Sequence, residues 1–239
     1  SSASLTTGGE DNRARVWRLH NIDSELASEL EQTLEFQGRN VWCVDGSLAP
    51  PRVIAGCGDG SVRTWPTTPP PSEQGLLPGL PEVAYGGQGW DCPLPAECDA
   101  EADHIKVVQL ISPFEALAAT RGGRVWLFSL GSGATLVHED TTQCWLALTL
   151  LDSTERLIAI TSRLGVLRVL ARKGNSLSVR AHHRATTIVT GWSKGPHHFA
   201  VVTVAADGDI SLWQLHRCAN GELTAREQLT KLRLFPPAQ

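Results

Sequence analysis

Apolar residues in this chain come in short runs closed by turn residues, and helical spacing is absent from them. Val53-Ile-Ala-Gly-Cys57 is one such run. Asp59-Gly60 interrupts it, and Ser61-Val-Arg-Thr-Trp65 then alternates polar and apolar. An apolar run predicts a buried strand, and strict alternation predicts a half-buried one. Asp-Gly between them tolerates the positive φ that a tight hairpin turn requires. A lone hairpin cannot bury its apolar face, so the unit must find neighbours.

The unit recurs. Leu5-Thr-Thr-Gly-Gly-Glu-Asp-Asn-Arg-Ala-Arg-Val-Trp17 repeats it, as do Leu117–Phe128, Leu157–Val169 and Ala200–Trp213. Registered on the turn, the steps are about 48, 63, 42 and 43 residues. A period near 40–45 with an Asp-Gly turn and a strand ending in Trp resembles the WD-repeat pattern of β-propellers. The fold class expected is therefore all-β, a WD-repeat propeller of about four blades plus a partial one.

Each blade should carry four strands, a (innermost) to d (outermost). Residues 4–19 supply b and c of a first blade without its strand a. Glu31 to Phe36 is its expected strand d, after an acidic, helix-compatible connector from Asp23 to Glu31. Strand a is expected at Gly38–Val44, Ile105–Ile111, Cys144–Leu151 and Ile188–Trp192. Strand d is expected at Thr135–His138, Leu177–Arg180 and Leu223–Leu234. The organisation reads as blades over 1–65, an insertion or linker over 66–103 and blades over 104–239. Eight of the fourteen prolines fall in Pro66–Pro95, and the stretch to Asp103 holds seven acidic residues without Lys or Arg. That composition does not pack as a sheet, so it reads as a flexible insertion with a strand d near Glu82–Tyr85. With no methionine anywhere and strand a lacking at the start, a piece of a longer protein is expected.

Composition adds little to this. Hydrophobic residues make up 41% and the formal charge is −4. No apolar run approaches the ~18 residues of a membrane helix. Six cysteines at irregular spacing, three inside apolar strands (Cys43, Cys57, Cys144), read as reduced, buried thiols of a cytosolic or nuclear protein, with the cytoplasm as the expected location.

Loops b–c and d–a share one end of a blade, and loops a–b and c–d share the other. This sorting tests each candidate. His182-His183 and His197-His198 fall at opposite ends, a strand length of about 17–20 Å apart, so they cannot share a zinc ion and read as solvated loop histidines. Cys92 and Cys98 lack further ligands at metal spacing. Asp59 and Asp207 are demanded by their turns. Gly8-Gly9 and Gly122-Gly123 precede no helix, so they are not phosphate cradles. No catalytic group, metal site or cofactor site emerges. The b–c and d–a rim gathers Arg13, Arg39, Arg121, Arg163, His182, His183 and Arg184. Excluding the acidic stretch, the chain has 21 Lys+Arg against 25 − 7 = 18 acidic residues. This rim is the candidate contact for phosphates or an acidic partner; the alternative is ordinary solvated turn residues. Trp17, Trp65 and Trp213 read as packing residues between blades.

Three pieces carry a closer resemblance. They are Gly38-Arg-Asn-Val-Trp42 followed by Ile54–Arg63, the proline run after Trp65, and Ile105-Lys106 followed by Gly122-Gly-Arg-Val125. In that order they are similar to the WD-repeat scaffold partner of FtsJ-like tRNA 2′-O-methyltransferases. The resemblance implies a non-catalytic scaffold that binds the methyltransferase and presents tRNA for ribose methylation at the wobble nucleotide. The Gly-His and Trp-Asp pairs usual in such repeats are missing. A general WD-repeat platform for other protein partners stays open beside it.

Overall fold

The computed structural model describes residues 3–22, 25–35, 40–48, 51–66, 91–95, 98, 103–112, 114–129, 131–153, 156–171 and 176–233. Among these there are nineteen strands and no helix. The strands form five sheets, each bonded in chain order.

The first sheet has three strands, β1 (Ala3–Gly8), β2 (Arg13–Ile22) and β3 (Glu25–Glu35). The second has β4 (Val41–Leu48), β5 (Pro51–Cys57), β6 (Val62–Pro66) and β7 (Asp91–Cys92). The third has β8 (Ile105–Ser112), β9 (Glu115–Thr120), β10 (Arg124–Ser129) and β11 (Gly133–Glu139). The fourth has β12 (Trp145–Asp152), β13 (Leu157–Ser162), β14 (Val166–Leu170) and β15 (Ser176–Arg180). The fifth has β16 (Thr186–Gly195), β17 (His198–Ala205), β18 (Asp209–Arg217) and β19 (Leu223–Arg233).

Two elements differ from expectation. Residues 25–31 are strand, not an acidic or helical connector: β3 pairs with β2 along its whole length, from Ile22↔Glu25 to Arg13↔Glu35. Backbone pairing in an outermost strand does not need an apolar run, which is why charge there misleads. The second sheet closes on Asp91–Cys92, through Val62↔Cys92 and Arg63↔Asp91, and not near Glu82–Tyr85, which lie outside the described residues. Cys92 and Leu94 are buried and the Leu94 amide donates to the Gly60 carbonyl, so this end of the Pro-rich stretch is anchored by apolar side chains.

The chain divides into two compact units, Ser1–Ala118 with Trp126–Thr135, and Ala119–Val125 with Leu136–Gln239. In the first, Ala14, Val16, Leu34, Val41, Val53 and Cys57 form one core, and Ile54, Val62, Ile105, Ala118 and Phe128 another. In the second, Leu157, Leu167, Val201, Trp213 and Leu215 lead a core. Close approach is built in. A Cβ on Gly56 would lie 2.4 Å from Ile105 Cγ2 and 2.6 Å from Cys43 Sγ. Burial in that core pushes the Cys43 thiol up to about 12, which leaves it unreactive at neutral pH.

Candidate functional site

The b–c turns fix the rim. Gly60, Gly123, Gly165 and Gly208 occupy it with φ between +77° and +86°, and Asn12 takes the same place at +61°. In the first four sheets a turn carbonyl bonds to the segment that follows. The Gly9 carbonyl accepts from the Val41 amide at 3.1 Å, Gly123 from Asp140 at 2.9 Å, and Gly165 from Ala181 and His182 at 2.9 and 3.1 Å. The two loop sets that sequence sorting placed at one end are thus hydrogen-bonded together. Asp59 serves its turn, accepting from the Ser61 amide and hydroxyl and from Arg63 at 2.8 Å.

In the first unit, Arg13 is paired with Glu35 at 2.8 Å, and Arg39 lies outside the described residues. Arg15 donates to Asp11 at 2.5 Å, and this hydrogen bond holds the Asp11 carboxyl below its usual range. The feature that sequence reading passed over is Trp42, at the start of β4. It is 44% exposed, yet it stacks on His104 (5.3 Å between rings, 26°) with the Lys106 ammonium 4.4 Å from its ring centroid. The Asp45 carboxylate accepts from the Leu110 amide at 2.8 Å and pins β4 to β8 beneath it. The result is an indole held in place with nearly half its surface open. In the sequence its only signal was Lys at the second position of the following strand a.

In the second unit, Arg121 and Arg163 are exposed and form no ion pair among the described residues. Arg184 reaches Asp207 at 3.6 Å while 73% exposed, a pair worth about 0–1 kcal/mol. His183 is exposed. His182 keeps its backbone on the rim but withdraws its ring: it is only 8% exposed, and its Nε2 lies 2.9 Å from the Thr203 hydroxyl, which also accepts from Trp213 Nε1 at 3.1 Å. The reason is tertiary: the neighbouring b–c turn holds its backbone, so the ring turns inward. Nearby, Arg168 pairs with Asp140 at 2.8 Å, lies 2.7 Å from His138 Nε2 and covers the fully buried Trp145. The Trp145 indole donates to the Gly123 carbonyl at 2.8 Å.

Burial lowers the affinity of both His182 and His138 for a proton, and the Arg168 charge adds to this for His138. Their folded values lie below the unfolded one of about 6.5, so the unfolded chain takes up protons first as pH falls. Stability is full above about pH 7 and declines below about 6.5. Melting at pH 7.5 and 5.5 should show a lower midpoint at 5.5, with the difference reduced in a His138→Gln/His182→Gln variant. Equal midpoints in the parent would contradict this account.

Among the described residues, no three His, Cys, Asp or Glu side chains converge to hold a metal ion, and no helix is long and apolar enough to cross a membrane.

Residues 28–66, which run from β3 through β6, match the WD domain, G-beta repeat family. The crystal structure of the Myceliophteria thermophila Cps50 (Swd1) β-propeller domain matches with a TM-score of 0.63 at 12% identity, covering 95% of this chain and 67% of that one. The fold is a WD-repeat β-propeller. The sheets above are its blades, and the repeat match crosses from the last strand of one blade into the first three of the next. Ribosome biogenesis protein YTM1 of Pyricularia oryzae is 32% identical over 85 residues, which is 33% of this chain and 17% of that protein.

Proposed function

We propose that this propeller is a non-catalytic scaffold that docks a protein partner on its b–c and d–a rim, with Trp42 as the anchor. The single observation carrying this reading is the indole itself. A Trp clamped by His104 and Lys106 while 44% exposed is pre-organised contact area of the kind that dominates interfaces.

A second reading keeps the finer expectation, a scaffold in tRNA 2′-O-methylation that binds an FtsJ-like methyltransferase and tRNA. Arg121 and Arg163 favour it, being exposed cations on the rim. The burial of His182 weakens it by withdrawing one of the expected contacts.

Quantitative affinity capture separates the readings. On the first, Trp42→Ala loses at least one protein that the parent retains, about tenfold or more as for an interface anchor, and nuclease treatment changes nothing. On the second, Arg121→Glu/Arg163→Glu loses the partner, and tRNA affinity falls steeply with salt. Identical capture by parent and both variants would refute rim docking.

A further inference from the structure

The last blade carries a second surface at the opposite end from the rim. Four strands contribute to it: Lys194 from β16, His198 from β17, Gln214 and His216 from β18, Thr224 and Arg226 from β19. They line a cleft of about 500 Å³. The register explains the gathering. His198 pairs with His216 and Gln214 with Arg226, while His216 pairs with Thr224, so these side chains project from one face of the sheet. The opposite face carries Phe199, Val201, Trp213 and Leu215 into the core.

The chemistry of the lining is one-sided. Lys194 and Arg226 bring two charges, the imidazoles of His198 and His216 pack at a tilt with 4.7 Å between centroids, and the Gln214 amide adds a hydrogen-bond donor. Among the described residues no carboxylate lines the cleft, and neither Lys194 nor Arg226 forms an ion pair. Like charges brought together this way repel unless an anion joins them. A compact tetrahedral anion suits several donors converging from different strands, with the guanidinium able to bind it in bidentate fashion.

We infer that this cleft binds the phosphoryl group of a phosphorylated segment of a protein partner. The inference rests on the reading of the propeller as a protein platform. A nucleic acid fits less well: among the described lining residues the exposed rings are the imidazoles of His198 and His216, already packed on each other at 4.7 Å, and the larger Phe199 ring is buried, whereas base stacking wants a free ring face. Docking then uses two kinds of contact, the Trp42 indole and this charged cleft.

The probe is the capped tripeptide acetyl-Ala-phosphoserine-Ala-amide, titrated into the 239-residue chain while the imidazole C–H resonances of His198 and His216 are followed by NMR. Expected is a saturable shift of both, with none from the unphosphorylated peptide. Lys194→Gln and Arg226→Gln should each weaken binding about tenfold with melting unchanged, and Arg226→Lys should recover part of the loss. Trp42→Ala should leave the peptide titration as it was, so loss of rim docking and loss of this site are read separately. The proposal is overturned if both peptides act alike, if inorganic phosphate shifts the resonances and the peptide does not, or if a uridine hexanucleotide displaces the peptide at lower concentration.

Discussion

Gly123→Ala is expected to lower unfolding free energy by about 4 kcal/mol, at the exceptional end for a single added methyl. The residue sits at φ +86°, and a Cβ there would lie 2.0 Å from the Asp140 carbonyl oxygen and 2.9 Å from that of Gln143. Both are backbone atoms, so no side-chain rotation relieves the clash. Moving the turn would also break what its carbonyl holds, the Asp140 amide at 2.9 Å and the buried Trp145 indole at 2.8 Å. Gly131→Ala supplies the control. Its φ is +83° but nothing lies within 4 Å of the added atom, so only the left-handed backbone is penalised, about 1–2 kcal/mol. Urea denaturation of the two variants distinguishes close approach from backbone strain, and equal losses would contradict the docking of turn on loop.

Thr203→Val should cost about 2–4 kcal/mol even though the two side chains have nearly the same shape. Thr203 is fully buried and its hydroxyl joins His182 at 2.9 Å to Trp213 at 3.1 Å. Removing it strands two buried polar groups that water cannot reach, and each such loss is worth about 1–3 kcal/mol. Thr203→Ser keeps the hydroxyl and should lose much less. A valine variant as stable as the serine one would show that the network does not fasten the His182 loop.

The hairpins were legible because local chemistry specifies them: Asp-Gly turns flanked by apolar runs allow few other structures. The parts that misled depend on distant partners. Residues 25–31 read as a connector because an outermost strand is defined by whom it pairs with, here β2. Cys92 disappears among prolines and acids, and only its burial against Val62 makes it strand. His182 looked solvated because its partner is 21 residues away. A sequence signal for that partner did exist. Thr and Trp stand five residues either side of the positive-φ position in Thr203–Gly208–Trp213, and again in Thr7–Asn12–Trp17, where Trp17 donates to the Thr7 hydroxyl at 3.0 Å. Trp42 was counted as strand because it is strand, and its exposure follows from what packs beside it.

The proposed docking at the rim requires each b–c turn to be fastened to the segment that follows it. Amide hydrogen exchange tests that fastening directly, at Val41 in one unit and at Asp140, Ala181 and His182 in the other, the amides held by turn carbonyls. The expected result is exchange as slow as in the buried strand β13, Leu157–Ser162. Exchange as fast as at Ser132, in the exposed turn before β11, would contradict the account.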